Sequence, residues 1–276
     1  ARLEAALPGY EVGDELGRGA FGVVTAARHR ALGRRVAVKA LSANLAGDDG
    51  LRRRFLDEAR LVASLDHPHV VRVFDYVEAD GHLLLVMELL PGGSLDDRLA
   101  DGVEPERACA VTLSAAAALH HAHEHGILHR DVKPANVMFA ADGTVKLGDF
   151  GIAKVLAATQ GLTATGSIMG TPAYMAPEQA QGQPVGPGTD VYAAGVTLYQ
   201  LLAGDLPFES TGDAMSQLFA HVSREPRPLA ELAPTVPTSI AAVVHRALAK
   251  DPADRYPTAE AFGVAVAEAA TQGFGP

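Results

Sequence analysis

The sequence lacks the features that define several classes of protein. It has no tryptophan and one cysteine, Cys109, among 276 residues, so an internal disulfide is impossible and no oxidising compartment is needed. No stretch approaches the roughly 18 consecutive apolar residues of a membrane span, and no signal peptide is evident. Lys and Arg (23) are fewer than Asp and Glu (33), and the net charge of −10 disfavours a nucleic-acid partner. We therefore expect a cytoplasmic protein.

What is present is the composition of a folded domain. Hydrophobic residues make up 48% of the chain and charged residues 20%, while Gly (28) and Pro (17) stay below the share typical of low-complexity chains. The length suffices for one large domain or two small ones. Disorder and fibrous structure are therefore excluded for most of the chain.

The hydrophobic pattern changes along the chain. An amphipathic helix is predicted at 51–65, and short runs with Val, Ala and Tyr predict strands at 10–16, 22–28, 35–41, 70–78 and 82–89. After Pro91-Gly92-Gly93 the periodicity predicts helices at 94–100, 104–125, 190–203, 213–222, 238–249 and 258–270. Short strands at 137–139 and 145–148 and a long loop from 151 to about 177 interrupt the helices. We expect the end after Ala270 to be frayed.

A glycine-rich segment lies between the first two predicted strands. The glycines of Leu16-Gly17-Arg18-Gly19-Ala20-Phe21-Gly22 would let the backbone approach a phosphate. A plain glycine-rich hairpin has the same pattern, and so does a dinucleotide-binding turn, in which the glycines open a helix. The following residues, Val23-Val24-Thr25, continue as a strand, which disfavours the dinucleotide alternative.

Charged side chains interrupt apolar runs at three further places. Lys39 shares a strand face with Ala37, and Glu58 of the predicted helix is a candidate partner, although a lone strand lysine is usually solvated. The loop His129-Arg130-Asp131-Val132-Lys133-Pro134-Ala135-Asn136 gathers polar groups that are costly to bury unless they are used. Asp149 ends the short strand pair, and Asn and Asp oxygens suit Mg²⁺. Each segment alone is also typical of a capped turn.

Together and in this order, the motifs resemble those of eukaryotic-type (Hanks-type) serine/threonine protein kinases. Lys133 gives the catalytic loop its serine/threonine form, and residues 170–180 are similar to those of bacterial receptor-type kinases. The resemblance spans Gly17 to Arg255. It implies an α+β, bilobal fold with a five-stranded antiparallel N-lobe carrying one helix and a mainly α-helical C-lobe. The implied bounds are 9–88 for the N-lobe, 88–92 for the hinge, 92–270 for the C-lobe and 271–276 for a tail.

The resemblance also implies the roles of individual residues. Asp131 would accept the substrate proton, Lys133 would neutralise the transferred phosphoryl group, and Lys39, paired with Glu58, would bind the ATP phosphates. Asn136 and Asp149 would hold Mg²⁺, for which Mn²⁺ can substitute. The implied ATP-binding residues are Leu16, Gly17, Arg18, Gly19, Ala20, Phe21, Gly22, Val24, Ala37, Lys39, Met87, Glu88, Leu90 and Met138.

The resemblance also implies which residues regulate the kinase and which support its structure. Thr163 and Thr165 would be autophosphorylated in the loop that begins at Gly151, and Arg130 would pair with the phosphorylated loop. The structural and regulatory residues would be Arg130, Phe150, Thr171, Glu178, Asp190 and Arg255. Among these, Thr171 would contact Asp131 and Lys133, Glu178 would form a buried ion pair with Arg255, and Asp190 would brace the catalytic loop.

Several alternatives stay open at this point. A pseudokinase scaffold would bind ATP without turnover, but no motif residue is missing, and a dinucleotide oxidoreductase is a distant third. His121 and His125 are spaced to chelate a metal, yet no cysteine or acidic set closes such a site. The expected partners are ATP, proteins with Ser or Thr, and a second copy for autophosphorylation in trans. Similar kinases also continue into a membrane span and a sensor.

Overall fold

The computed structural model of the chain describes residues 2–19, 22–41, 49–79, 82–100, 102–150, 171–209 and 213–275. The predicted phosphorylation sites Thr163 and Thr165 lie outside these residues. So do Ala20 and Phe21 of the glycine-rich segment and the side chain of Glu58. Across the described residues, no helix is both long and apolar enough to cross a membrane.

An antiparallel sheet forms the N-terminal part of the fold, as the alternating pattern predicts. Its five strands are β1 (Tyr10–Gly19), β2 (Gly22–His29), β3 (Arg35–Leu41), β4 (Val73–Ala79) and β5 (His82–Glu88). They lie in the order β1-β2-β3-β5-β4, and every neighbouring pair is antiparallel. Val36 and Val38 of β3 are each 1% exposed on one face of the sheet, and the alternation places Lys39 on the opposite face.

A short N-terminal helix, α1 (Arg2–Ala6), covers the outer face of this sheet. Leu7 follows the helix, is 2% exposed, and packs into a cluster with Leu84 and Val86 of β5. Burial of a leucine side chain contributes about 1.5–3 kcal/mol to stability. The sequence pattern does not predict this contact, because five helical residues are too few to show a periodicity.

The rest of the described chain is mainly helical, which confirms the predicted fold class. Helix α2 (Asp49–Ala63) lies between β3 and β4, and strands β6 (Val137–Phe139) and β7 (Val145–Leu147) form a separate antiparallel pair. The other helices are α3 (Asp96–Leu99), α4 (Pro105–Glu124), α5 (Pro177–Ala180), α6 (Pro187–Ala203), α7 (Ala214–Ser223), α8 (Leu229–Leu232), α9 (Thr238–Ala247) and α10 (Ala259–Phe274).

Helices α4, α6 and α10 build the main hydrophobic core. Leu119, Val196 and Phe262, one from each helix, are 0% exposed. A glycine lets α6 approach its neighbour α9, because a Cβ atom on Gly195 would lie 2.8 Å from the Ala247 Cβ. A larger residue at this position would force the two helices apart in a core that has no spare volume.

The last helix is longer than the sequence indicates. It continues to Phe274, so the prediction of a frayed end after Ala270 is wrong. Phe274 packs against the main core, and Gly273 lies so close to Pro237 that a Cβ atom would approach its ring to 2.4 Å. The Ser239 hydroxyl also donates to the Ala269 carbonyl at 3.1 Å. These contacts with the start of α9 order the final turn.

A buried ion pair joins α5 to the segment between α9 and α10. Arg255 is 1% exposed, and its two Nη atoms each donate to a Glu178 carboxylate oxygen at 2.8 Å. The remaining donors of Arg255 reach the carbonyls of Ala249, Gly188 and Lys250, so all five N–H groups are used. Burial opposes ionisation of Glu178, but the hydrogen bonds from Arg255, the Glu178 backbone and Thr189, together with the Arg255 charge, hold the Glu178 pKa below its ordinary value.

We expect Glu178→Gln to lower the free energy of unfolding by about 3–5 kcal/mol, because it leaves the Arg255 charge buried without its counter-ion. Urea unfolding followed by circular dichroism would measure the change. The control is Asp205→Asn, which breaks the more exposed pair of Asp205 with Arg227 and should cost less than about 1 kcal/mol. Equal losses of unfolding free energy in the two variants would contradict a larger stabilising contribution of the buried pair of Glu178 and Arg255.

Candidate active site

A buried carboxylate fixes the backbone of the loop that carries Asp131. Asp190, in the first turn of α6, is 0% exposed and accepts hydrogen bonds from the backbone N–H of His129 at 2.8 Å and of Arg130 at 2.7 Å. Its third partner is the His123 ring, with Nε2 at 2.8 Å. Burial opposes ionisation of Asp190, but the hydrogen bonds and the electrostatic contributions of His123 and His129 together hold the Asp190 pKa below its ordinary value. Arg130 has a φ of +63°, a strained conformation that the two N–H bonds stabilise.

His129 connects this loop to the turn that carries Asp149. The ring is 0% exposed, its Nε2 lies 2.8 Å from the Gly148 carbonyl, and its Nδ1 accepts from the Asp131 N–H at 3.2 Å. The pattern corresponds to a neutral imidazole with one donor and one acceptor. Phe150, 4% exposed, packs on the ring with the centroids 4.6 Å apart.

Two of the predicted catalytic residues, Asp131 and Lys133, lie in direct contact. Lys133 Nζ is 2.9 Å from a carboxylate oxygen of Asp131 and donates to the Thr171 hydroxyl at 2.9 Å. Asn136 Nδ2 donates to the Asp131 carbonyl at 2.8 Å and to its carboxylate at 3.2 Å. A carboxylate, an ammonium group and an amide therefore converge within a few ångströms, a charge arrangement suited to proton acceptance beside a stabilised negative charge.

Asp149 is connected to this group through the preceding residue, Gly148, whose N–H and carbonyl are both held. The Gly148 N–H donates to the Asn136 carbonyl at 2.9 Å, and its own carbonyl accepts from His129. Asp149 has a φ of +55°, and its carboxylate lies 2.8 Å from Lys39 Nζ of β3. Lys39 thus contacts the carboxylate of Asp149, while its predicted pair with Glu58 stays a prediction.

Two oxygen donors in this region fit a hard divalent cation. Asn136 turns its amide nitrogen toward Asp131, which leaves the amide oxygen as the ligand atom. The Asp149 side chain is 42% exposed and presents a carboxylate. Mg²⁺ takes few protein ligands and completes its shell with phosphate oxygens and water, so one amide and one carboxylate are a sufficient protein contribution.

The glycine-rich segment forms a hairpin in the sheet. β1 and β2 pair up to Gly19 and Gly22, and Gly22 has a φ of +143°, which glycine adopts without strain. These glycines therefore do not open a helix, which removes the structural basis of the dinucleotide alternative. The apolar residues predicted to hold the adenine include Leu16, 51% exposed on β1, and Ala37, 6% exposed on β3.

The sheet register relates two other predicted pocket residues, Val24 and Met87, to Lys39 and Ala37. Val24 of β2 pairs with Lys39, and Met87 of β5 pairs with Ala37. Met138 lies on β6, and Leu90, 9% exposed, follows the end of β5. Val24, Ala37 and Met87 therefore share the sheet face that carries Lys39.

Sequence reasoning missed an ion pair between Glu88 at the end of β5 and Lys146 of β7. Lys146 Nζ lies 3.0 Å from the Glu88 carboxylate, and the two side chains are 14% and 28% exposed. The pair joins the N-terminal sheet to the strand pair that leads to Asp149. A lysine on a short apolar strand was the available signal, but its partner could not be found from spacing alone.

A strap of residues 171–175 lies beside the catalytic lysine and is held at several points. Thr171 accepts from Lys133, and the Tyr174 hydroxyl donates to the Gln200 amide oxygen of α6 at 2.6 Å. Gln179 was also missed: its amide oxygen accepts from the Ala176 N–H at 3.1 Å, and its amide nitrogen donates to the Arg130 carbonyl at 3.1 Å. The strap and the catalytic loop are therefore one connected unit.

The histidines at the end of α4 lie close together. The centroids of His121 and His125 are 4.5 Å apart, and His67 stacks on His121 at 5.0 Å. Across the described part of the chain, no group of three or more His, Cys, Asp or Glu residues is arranged to hold a metal ion.

Comparisons with known proteins agree with this geometry. The family described as "Protein kinase domain" matches residues 10–265. The serine/threonine-protein kinase PknB of Mycobacterium leprae is 43% identical over 257 residues, and that of Mycobacterium tuberculosis is 43% identical over 258 residues. Each alignment covers 91% of this chain and 41% of the relative, so the chain spans about two-fifths of their length. The crystal structure of the M. tuberculosis PknI kinase domain is similar with a TM-score of 0.75 and 33% identity, covering 95% of this chain and 96% of that one.

The buried His129 predicts a loss of stability in mild acid. Burial lowers the His129 pKa below its ordinary value of 6.5. As the pH falls through 6.5, the unfolded chain therefore gains a proton at this position before the folded chain does. The free energy of unfolding then falls by at most about 1.4 kcal/mol per pH unit.

Urea unfolding at about pH 7.5 and about pH 5.5 measures this slope in the wild type and in His129→Phe. The other titrating groups contribute equally to both chains, so we expect a smaller slope in the variant. Identical slopes would contradict the neutral, buried state of His129.

Proposed function

The chain belongs to the protein kinase family, and we propose that it transfers the γ-phosphoryl group of Mg-ATP to serine and threonine hydroxyls of proteins. The observation that carries this proposal is the double hydrogen bond of Gly148 to the catalytic loop. Gly148 thus links Asp149, the next residue, to the loop that carries Asp131, Lys133 and Asn136. A phosphoryl donor bound near Asp149 would therefore face an acceptor hydroxyl bound at Asp131.

The catalytic loop supplies a proton acceptor and a positive charge. Asp131 would hydrogen-bond the substrate hydroxyl, orient its oxygen and take its proton as the bond to phosphorus forms. Lys133, which contacts the same carboxylate, would donate to the phosphoryl oxygens and offset their charge. Thr171 supports this arrangement because its hydroxyl accepts from Lys133 and fixes the ammonium group.

Lys39 and the glycine-rich hairpin would hold the nucleotide. Lys39 contacts Asp149 in the structure, and the same ammonium group is suited to the α- and β-phosphates. Asn136 and Asp149 would hold Mg²⁺, which neutralises phosphate charge when it is bound. The adenine ring would lie among Leu16, Val24, Ala37, Met87 and Met138, with the main chain of Glu88 and Leu90 at its polar edge.

Regulation by the loop of residues 151–170 belongs to the same proposal. Phosphates on Thr163 or Thr165 would add about −1.5 to −2 charges each and would attract the guanidinium group of Arg130. A second copy of the chain would be both enzyme and substrate in this reaction. The proposal keeps the cytoplasmic location expected from the sequence, with the domain either free or as the cytoplasmic part of a membrane-anchored kinase.

A scaffold that binds ATP without turnover is the second candidate. The direct contact of Lys39 with Asp149 occupies two groups that catalysis would need on the nucleotide. Favouring the enzyme, Lys133 and Asn136 hold the Asp131 carboxylate in one position, which suits it to accept the proton of a substrate hydroxyl.

We expect Asp131→Asn to reduce phosphoryl transfer by a factor on the order of 10²–10³, because the proton acceptor is lost while nucleotide binding is retained. The assay incubates the chain with Mg²⁺ and labelled ATP and maps the label by mass spectrometry. Wild-type chain should carry label on Thr163 or Thr165. Tagged Asp131→Asn should be labelled only when untagged wild type is added, since the reaction occurs in trans.

Asp142→Asn is the matched control, because Asp142 is an exposed turn residue whose carboxylate accepts from the Thr144 N–H at 2.9 Å. It should retain wild-type activity. No label on wild type, with ATP binding still measurable by thermal shift, would contradict the enzyme and favour the scaffold.

A further inference from the structure

An open cavity of about 420 Å³ lies between helices α4 and α10. His67, from the segment that joins α2 to β4, completes its wall. The described lining contains none of the residues assigned to catalysis, nucleotide or metal, so the cavity is separate from the candidate active site. Small-molecule sites in proteins usually have volumes of roughly 300–1,000 Å³. The size of this cavity therefore suits a small organic ligand.

The floor of the cavity is apolar because small residues let the two helices approach closely. Ala116 of α4 is 2% exposed, and a Cβ atom added to Gly263 of α10 would lie 3.3 Å from the Ala116 Cβ. Leu113 and Val264 also line the cavity, and Val264 is 52% exposed. A flat apolar group bound here would contact both helices and would cover an apolar side chain that is otherwise exposed to water.

Two glutamates make one end of the cavity negative. Glu124 of α4 and Glu260 of α10 lie near His120, whose Nε2 is 3.9 Å from the Glu124 carboxylate and 3.7 Å from the Glu260 carboxylate. Both distances are too long for a hydrogen bond. No other basic group of the described residues forms an ion pair with either carboxylate. The two carboxylates therefore converge on one ring nitrogen without a hydrogen-bonded cation.

The histidine from the segment before β4 adds no positive charge near pH 7. Burial, followed by the neighbouring His121, lowers the His67 pKa below its ordinary value of 6.5. Its Nδ1 accepts from the His69 N–H at 3.2 Å, and its ring stacks on His121 with the centroids 5.0 Å apart. The cavity thus combines an apolar floor with a negative end, which favours a cationic ligand over an anionic one.

We propose that this cavity is a binding site for a small arylalkyl primary amine. The aromatic ring would pack on the floor of Ala116 and Gly263, and the ammonium group would lie between the carboxylates of Glu124 and Glu260. A primary ammonium group has three N–H donors, so one group can bond both carboxylates. Binding of this ligand does not depend on phosphoryl transfer, so the site goes beyond the proposed kinase function.

The first experiment compares three ligands that share a phenyl ring and a short chain and differ in charge: 2-phenylethylamine, 2-phenylethanol and 3-phenylpropionate. Backbone amide NMR shifts of the whole chain at about pH 7.5 report affinity and location together. We expect a Kd on the order of 1–10 mM for the amine, with shifts in α4 and α10. The alcohol should bind about 5- to 20-fold more weakly, and the acid should not bind. Equal binding of the three ligands, or amine shifts confined to the candidate active site, would overturn the proposal.

Charge removal at the cavity provides the second experiment. Glu124→Gln combined with Glu260→Gln should reduce the affinity for the amine to that for the alcohol, while the affinity for the alcohol stays the same. The matched control combines Glu106→Gln with Glu268→Gln, because these exposed glutamates lie on the same two helices but do not line the cavity. The control changes the net charge equally and should bind the amine like wild type. Equal losses in the two double variants would indicate a general effect of charge and overturn the proposal.

Filling the cavity provides the third experiment. Ala117 is an exposed lining residue of α4, so Ala117→Leu adds bulk to the cavity without disturbing the core, and leucine is a good helix former. This variant should keep the wild-type melting temperature and lose binding of both the amine and the alcohol. Undiminished amine binding in folded Ala117→Leu would overturn the proposal. None of these measurements uses ATP, so a chain without kinase activity would count against the proposed function and leave the test of the cavity valid.

Discussion

The geometry of the candidate site depends on one buried carboxylate. Asp190 has no contact with water, and an unpaired charge in that position would cost several kcal/mol, so its oxygens must be satisfied by nearby N–H groups. The chain meets this requirement with the His123 ring and with the backbone of His129 and Arg130. The hydrogen bonds to this carboxylate therefore fix the backbone of the loop, including the strained φ of Arg130. The rigid core helix α6 positions residues that are themselves in irregular structure.

Hydrogen bonds to backbone groups connect the loop held by Asp190 to the turn that carries Asp149. The His129 ring hydrogen-bonds the Gly148 carbonyl, and the Asn136 carbonyl accepts from the Gly148 N–H. Asp149 is therefore fixed relative to Asp131 through backbone hydrogen bonds, although the two carboxylates carry charges that repel each other. The Arg255 guanidinium acts in the same way at α5, which follows the strap, since its fully used donors hold Glu178 and three carbonyls in one geometry. Both cases follow from the cost of unpaired polar groups in a low-dielectric core.

Local sequence patterns predicted the strands and helices, whereas the exact ends of these elements and several ion pairs depend on tertiary contacts. Alternation located the five strands, and their bounds differ from the predicted ones by up to three residues, because a strand end depends on its partner. The motif resemblance led to the contacts of Lys133 with Thr171 and of Glu178 with Arg255, which the structure contains. The ion pair of Glu88 with Lys146 and the contact of Lys39 with Asp149 join residues far apart in the chain. Spacing carries no signal for such pairs. The final turn of α10 was missed for the same reason, since its stability comes from Pro237.

The packing of the two chain ends bears on how this domain would be produced in isolation. The family match covers residues 10–265, yet Leu7 is buried on the sheet before that range, and Ala269 and Phe274 pack after it. A fragment trimmed to the matched residues would expose apolar side chains of β5 and would remove the last turns of a core helix. Exposed strand surface of this kind promotes association between chains. The cooperative folding unit is therefore longer than the recognisable motif, and an expression fragment needs to keep both flanks to remain monodisperse.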